Sequence, residues 1–210
     1  MLRPAVLVAC CLLVFVASAR PATPARCSGG SVALTFDDGP APTTPALLEA
    51  LQRRGLRATM FNVGVRATAH PELVRAEARA GMWVENHTFT HRRLTALDDA
   101  RVAFELAEAQ RVLGALTGRT PTLMRPPYLA TDARVERVAA RLGLRQVLAT
   151  VDTHDSRGAS ADAIADAAEH LRPGGILLLH DRPEAVDAVP RIADELAARG
   201  LCTGPIVIAR

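Results

Sequence analysis

The feature that most constrains the fold is a regular alternation of short apolar runs with amphipathic stretches, beginning at Ser31. Apolar runs bounded by Gly, Pro and Asp predict strands, and apolar residues spaced three and four apart predict helices. Strands are predicted at 31–36, 57–62, 82–86, 121–125, 145–151, 174–179 and 205–208. Helices are predicted at 43–54, 70–80, 98–116, 131–142, 160–170 and 187–199. This order predicts an α/β fold with a parallel sheet, open or closed into a barrel.

The start of the chain has the pattern of an export signal. Arg3 precedes an apolar run at 5–16, and Ala17-Ser18-Ala19 forms a small-residue cleavage site, which together predict a signal peptide over 1–19. An uncleaved anchor is the alternative, but the apolar run is shorter than the roughly 20 residues that span a bilayer. We therefore expect a secreted protein with no membrane association after cleavage.

The rest of the chain is expected to form one domain. Residues 20–30 are rich in Pro, Ala, Ser and Gly and predict an extended lead-in. Residues 31–210 are enough for one hydrophobic core and match the usual size of a single domain. We expect this domain to be monomeric.

Two cysteines, Cys27 and Cys202, remain after the predicted signal is removed. An oxidising compartment favours a disulfide between them, which would stabilise the fold by about 3 to 5 kcal/mol in the chain-entropy model. The alternative is a pair of unbonded, buried thiols.

The charge pattern argues against nucleic acid as a partner. The chain carries a formal net charge of +3, contains no lysine, and has its arginines scattered along its length. Binding to phosphates would need a focused basic patch.

Polar residues with catalytic potential follow the predicted strands, at the point where each strand ends. In a parallel sheet with helical crossovers those ends open on one face, where active sites of such folds are built. The clusters are Asp37-Asp38, His87 with His91, Arg125, Asp152 with Asp155, and His180-Asp181.

The first two clusters have the composition of a catalytic metal site. Of two acids at the end of a buried strand, one can bind a cation while the other acts as a base. His87 and His91 add two nitrogens, and one carboxylate with two imidazoles leaves positions open for water and substrate. Taken singly, Asp37-Asp38 could be only part of a turn, and the histidines could be solvated loop residues.

The later clusters add an anion-binding group and an acid. Arg125 could hold a carboxylate such as Asp37 by a bidentate bond, and the prolines that follow leave the backbone N–H of Tyr128 as a donor suited to an oxyanion. A proline-stiffened loop with an exposed arginine is the alternative. Asp155 could orient His180, which ends an otherwise apolar run.

In this order the motifs resemble the NodB-homology polysaccharide deacetylases, carbohydrate esterase family 4. The motifs are Thr35-Phe36-Asp37-Asp38-Gly39, His87-Thr88-Phe89-Thr90-His91, Arg125-Pro126-Pro127-Tyr128, Asp152-Thr153-His154-Asp155 and Leu177-Leu178-Leu179-His180. The resemblance covers about residues 31 to 208. It implies a distorted (β/α) barrel of about seven parallel strands that hydrolyses acetyl groups on sugars with a divalent metal, zinc or cobalt.

The resemblance also implies a role for each residue. Asp38, His87 and His91 would bind the metal. Asp37 would be the general base and His180 the general acid. The supporting roles fall to Arg125, which would orient Asp37, to Asp155, which would tune His180, and to the Tyr128 amide, which would meet the oxyanion.

The substrate is less closely indicated. Residues 55–62, 80–84 and 200–202 look similar to those of actinobacterial acetylxylan esterases in this family, which favours O-acetyl xylan or N-acetylated chito-oligosaccharides. Ser156 and Ala149 stand where relatives usually carry aromatic residues, and Arg182 stands where some have tryptophan. A carbohydrate-binding protein that keeps the metal site with little or no turnover is the alternative function.

Overall fold

Parallel strands alternate with helices along residues 27–208, the part of the chain that the computed structural model describes. The strands are β1 (Gly30–Gly39), β2 (Thr59–Asn62), β3 (Trp83–Asn86), β4 (Leu123–Met124), β5 (Arg145–Gln146), β6 (Val151–Asp152), β7 (Ile176–His180) and β8 (Leu201–Thr203). The helices are α1 (Thr44–Arg53), α2 (Gly64–Ala69), α3 (Pro71–Arg79), α4 (Asp99–Thr117), α5 (Ala133–Arg141), α6 (Ala161–Ala168) and α7 (Pro183–Ala198).

The strands form a curled half-barrel surrounded by helices, which confirms the predicted fold class. Their order is β5-β4-β3-β2-β1-β7-β6, and β8 pairs with the beginning of β1. Every pair is parallel. The carboxyl ends of the strands therefore share one edge.

Strand β1 lies between β2 and β7 and separates the core from the interior of the half-barrel. Leu34 and Phe36, each 1% exposed, pack in the main hydrophobic cluster with side chains of β7, α1, α6 and α7. Because side chains alternate along a strand, Thr35 and Asp37 point to the opposite face. Both are buried there, at 0% and 3% exposure.

The predicted strand 145–151 is wrong, because the chain crosses from one edge of the sheet to the other within it. β5 pairs with β4, whereas β6 pairs with β7 at the far end of the strand order. The apolar residues between them include Val147, which packs with Phe61 and Leu123 in the half-barrel. The apolar pattern of residues 145–151, the seam between β5 and β6, therefore reflects burial. It does not indicate one continuous strand.

Two further predictions are corrected. Residues 205–208 do not form a strand: Pro205 lacks a backbone donor, and the apolar side chains beyond it pack beside Phe61. The last strand is instead β8.

Helix α2 was not predicted, since its sequence, Gly-Val-Arg-Ala-Thr-Ala, has no apolar periodicity, and α7 begins at Pro183 instead of 187.

A disulfide joins Cys27 to Cys202, with Cα atoms 5.3 Å apart, as the sequence predicts. It ties the segment before β1 to β8. The predicted signal peptide at 1–19 and most of the lead-in lie outside the described residues. Across residues 27–208, no helix combines the length and apolar character needed to cross a membrane.

Candidate active site

The predicted functional side chains meet in one cleft at the carboxyl edge of the sheet. The cleft has a volume of about 510 Å³. Its lining includes Asp37, Asp38, His87, His91, Tyr128 and His180. Arg125 and Asp155 lie behind this lining, 0% and 2% exposed, where they contact Asp37 and His180.

Asp38, His87 and His91 form a group of metal-ligand type. One donor atom from each lies within 4.8 Å of the others. Asp38 Oδ1 is 3.0 Å from His91 Nε2 and 3.5 Å from His87 Nε2. Burial would raise the pKa of Asp38, but the two imidazoles lower it far below its usual range, so the group is a carboxylate.

The donor atoms of this group are suited to a bound cation. Asp38 Oδ1 is shielded from solvent and has no hydrogen-bond partner within residues 27–208. A buried anionic oxygen without a donor is costly unless a cation compensates it. One carboxylate oxygen and two imidazole nitrogens match the donor set of a catalytic zinc site.

His87 is held in the tautomer that metal binding needs. Its Nδ1 lies 2.8 Å from the carbonyl oxygen of Arg125. Because a carbonyl only accepts hydrogen bonds, Nδ1 carries the proton and Nε2 is left with its lone pair facing Asp38. His87 is 2% exposed, so this orientation is fixed by its surroundings.

Glu105, which sequence reasoning missed, holds the loop that carries His91. Its Oε2 accepts hydrogen bonds from the backbone amides of Phe89 at 3.0 Å and Thr90 at 2.7 Å, and Oε1 accepts from the Thr90 hydroxyl. The loop needs such support, because Thr88 and His91 adopt positive φ values of 66° and 60°. The available signal was a glutamate on the apolar stripe of α4, three residues after a buried valine.

Arg125 fixes Asp37 from inside the half-barrel. Its Nη1 donates to Asp37 Oδ1 at 2.8 Å and to Thr35 Oγ1 at 2.7 Å, and its Cζ lies 4.4 Å from the centre of the Phe61 ring. The predicted contact is present, but it is a single hydrogen bond and not the bidentate pair that the sequence suggested. Nη2 instead lies 3.4 Å from the carbonyl oxygen of Leu148.

Asp155 binds both the side chain and the backbone of His180. Asp155 Oδ1 is 2.7 Å from His180 Nδ1, and Oδ2 accepts from the His180 amide at 2.6 Å. Burial alone would lower the pKa of His180, but Asp155, with smaller contributions from Asp37 and Asp38, raises it above its ordinary value. The imidazolium form is therefore favoured, with Nε2 available on the other side of the ring.

Tyr128 forms the exposed wall beside His91. Its side chain is 61% exposed, and its ring centre lies 5.0 Å from that of His91. The guanidinium carbon of Arg93 lies 4.8 Å from the centre of the same ring. Tyr128 has a φ of 61°, in the left-handed region that residues other than glycine seldom adopt.

A comparison with known protein families shows to which family the chain belongs. The profile described as "Polysaccharide deacetylase" matches residues 26–147. The chain belongs to this family. Of the eight active-site residues predicted from sequence, those of the first three motifs fall inside the match, and Asp155 and His180 follow it.

Relatives of this deacetylase-family chain include enzymes acting on different glycans. A bifunctional xylanase/xylan deacetylase of Cellvibrio japonicus is 38% identical over 184 residues, covering 86% of this chain and 28% of the relative. A chitooligosaccharide deacetylase of Sinorhizobium fredii is 36% identical and covers 81% of this chain and 87% of the relative. The chain spans less than two thirds of the length of several curated relatives.

A solved structure supports the same placement. The family 4 carbohydrate esterase of Streptomyces lividans, in complex with acetate, is 47% identical with a TM-score of 0.83. The match covers 85% of this chain and 93% of that one. The deacetylase-family fold is thus common to both chains.

Proposed function

We propose that this protein is a metal-dependent hydrolase that removes acetyl groups from carbohydrates. The proposal rests on the position of the predicted base and the predicted acid beside the predicted metal ligands. Asp37 is fixed by Arg125, His180 is fixed by Asp155, and both line the cleft with Asp38, His87 and His91.

Asp38, His87 and His91 would hold the divalent ion, with zinc as the first candidate and cobalt as the second. Three protein ligands are typical of a catalytic zinc site, whereas structural sites are closed by four. When bound, such an ion supplies Lewis-acid polarisation of the acetyl carbonyl and lowers the pKa of water.

The side chains around the ligands supply the proton transfers. Asp37 accepts a proton from the attacking water as the water oxygen bonds to the acetyl carbon. The Tyr128 amide donates a hydrogen bond to the oxyanion of the tetrahedral intermediate. His180 then donates its proton to the departing sugar oxygen or nitrogen as the bond to the acetyl carbon breaks. Acetate and a free hydroxyl or amine are the products.

The relatives support the substrate class. They include a xylan deacetylase, a chitooligosaccharide deacetylase and an esterase with acetate bound. We propose O-acetyl xylan or N-acetylated chito-oligosaccharides as substrates, and a secreted, monomeric enzyme that acts on them outside the cell. The predicted signal peptide is the basis for export.

A second candidate is a carbohydrate-binding protein with little or no turnover. Its support is the altered wall of the cleft: Ser156 occupies a lining position, and Tyr128 is the one aromatic residue among the described lining residues. Weak positioning of a sugar would lower turnover without removing the metal ligands.

One experiment separates the two functions. The purified protein is stripped of metal, reloaded with Zn²⁺ or Co²⁺, and assayed for acetate release from acetylated xylan, xylo-oligosaccharides and chito-oligosaccharides. Metal-dependent release supports the hydrolase, and a His91→Ala variant that cannot be reactivated serves as the control. Oligosaccharide binding by calorimetry, with no acetate released under any metal, would replace the first proposal with the second.

A further inference from the structure

Three arginines line the cleft in addition to the predicted catalytic groups. Arg93 follows β3, Arg157 follows β6, and Arg182 follows β7. All three residues are exposed, and none of them forms an ion pair within residues 27–208. In the strand order, β3 lies on one side of β1 and β6 and β7 lie on the other. The positive charges therefore reach the cleft from both sides.

The acidic residues of the cleft do not neutralise these arginines. Asp37 is paired with the buried Arg125, and Asp38 faces the two metal-ligand histidines. Asp152, the remaining acidic residue that lines the cleft, lies 3.1 Å from Nδ1 of His154 and accepts a hydrogen bond from its backbone amide. The guanidinium groups at the mouth of the cleft are thus available to an incoming ligand.

Two of these arginines stand on the side from which His180 acts. Arg182 is two residues beyond His180, and Arg157 is two residues beyond Asp155, which holds the His180 ring. The acetylated sugar must reach His180 for its leaving group to be protonated. A substituent on that sugar or on its neighbour in the chain would then meet Arg157 and Arg182.

Arg93 has a different position. Its guanidinium carbon lies 4.8 Å from the centre of the Tyr128 ring, within the range of a cation–π contact. We assign Arg93 to the wall of the cleft opposite Arg157 and Arg182. There it contacts Tyr128, the only aromatic residue among the described lining residues.

We infer that the cleft selects acetylated saccharides that carry a carboxylate on or next to the acetylated sugar, bound by Arg157 and Arg182. This inference rests on the proposed deacetylase function and narrows its substrate class. Guanidinium groups bind carboxylates in a planar, two-bond geometry, and unpaired positive charges at the mouth of a cleft raise the association rate of an oppositely charged substrate. Neutral glycans would gain neither contribution.

The test uses substrate pairs that differ only in charge. Acetylated xylo-oligosaccharides bearing a glucuronic acid group are compared with the same molecules after the carboxylate is converted to its methyl ester. We expect kcat/KM to be about tenfold or more higher for the acid at low salt, since hydrogen bonds between charged groups are the stronger class. The ratio of acid to ester should fall as salt screens the charges.

Variants assign the preference to the arginines. Arg157→Gln and Arg182→Gln should each lower the acid-to-ester ratio, and the double variant should bring it close to one. Arg157→Lys should restore part of the ratio. Arg137→Gln, which removes the same charge from the exposed surface of α5 away from the cleft, should leave the ratio unchanged.

A second pair of substrates identifies the source of the carboxylate. Peptidoglycan disaccharide-peptides, which also carry carboxylates beside an acetylated sugar, are tested against their methyl esters. A ratio that depends on Arg157 and Arg182 only for the peptidoglycan fragments would assign the carboxylate to the peptide, and the converse result would assign it to a uronic acid.

The outcomes separate the inference from the proposed function. Acetate release at equal kcat/KM from acid and ester overturns the charge selection and leaves the deacetylase intact. No acetate release from any substrate, neutral ones included, overturns the deacetylase. In that case calorimetric binding of acid and ester still decides the selection, because equal affinities would overturn it.

Discussion

Asp37 and His180 are register partners on the adjacent parallel strands β1 and β7. Partners in a parallel pair place their side chains on the same face of the sheet, so the two groups enter one cleft from neighbouring strands. The proposed base and acid are thus positioned by backbone pairing and need no flexible loop to bring them together. Arg125 and Asp155 then fix each side chain from behind.

Replacement of Asp37 by Asn should remove activity but keep the metal. An amide cannot accept the proton of the attacking water, and loss of a general base costs about 10² to 10⁴ in rate. The check is kcat for acetate release together with zinc content of the purified variant. Asp38→Asn provides the contrast, because it should lose zinc; a zinc-depleted Asp37→Asn protein would contradict the division of roles.

Activity should fall as pH rises through the raised pKa of His180. The proposed acid works only as the imidazolium, and Asp155 stabilises that form against the opposing effect of burial. Asp155→Asn should therefore lower the pKa of His180 and move the alkaline limb of the kcat/KM profile to lower pH. The profile is measured with a neutral substrate, and Asp152→Asn, which alters the carboxylate beside His154, should leave the limb in place. An unmoved limb in Asp155→Asn would remove His180 from the acid role.

The sequence predicts the site more completely than it predicts the strands. Asp38, His87 and His180 follow apolar runs, and a parallel sheet brings the ends of such runs together wherever each strand begins. The seam between β5 and β6 is different, since an apolar pattern reports burial but not the partner of a strand. Only tertiary pairing shows that Arg145 and Val151 belong to opposite edges.

Supporting residues were missed for a related reason. Glu105 lies near the middle of α4, and its role depends on how that helix packs against the loop at Phe89 and Thr90. A charged residue on an apolar stripe indicates a buried contact, but the sequence does not name the partner. The single hydrogen bond of Arg125 to Asp37 likewise depends on Thr35 and Leu148, which share the guanidinium.

Glu105→Gln should weaken metal binding by about tenfold, a loss typical of removing outer supports of a metal site. The amide keeps one acceptor oxygen but loses the charge that holds the Phe89 and Thr90 amides, so the strained loop at His91 loosens. Zinc affinity by competition with a chelating dye is the measurement. Glu108→Gln is the matched control, since Glu108 lies on the same helix and pairs with Arg111 away from the loop. Equal affinities in the two variants would show that Glu105 does not position the ligand.

Loss of the Cys27–Cys202 disulfide should lower the free energy of unfolding substantially. The bond closes a loop with a sequence separation of 175 residues, for which the chain-entropy model gives about 5 kcal/mol. Urea unfolding of the Cys27→Ser, Cys202→Ser double variant, compared with native protein in oxidising and reducing buffer, measures the effect. Reduced native protein should match the double variant. Identical midpoints with and without the bond would contradict this estimate.

Glu77 should make the stability of the protein depend on pH. It is fully buried on α3, forms no salt bridge within residues 27–208, and accepts a hydrogen bond from the Asn62 side-chain amide at 2.5 Å. Burial raises its pKa from an ordinary 4.5 to about 8, with the Asp181 charge acting in the same direction and Asn62 against it. The folded protein therefore holds a proton that the unfolded chain releases. Its free energy of unfolding should fall as pH rises from about 4.5 to about 8, by at most about 1.4 kcal/mol per pH unit.

Glu77→Gln removes the titrating group and should flatten this slope in urea unfolding measured across the range, whereas the exposed Glu72→Gln on the same helix should retain it. Equal slopes in native protein and Glu77→Gln would show that Glu77 is ionised in the fold.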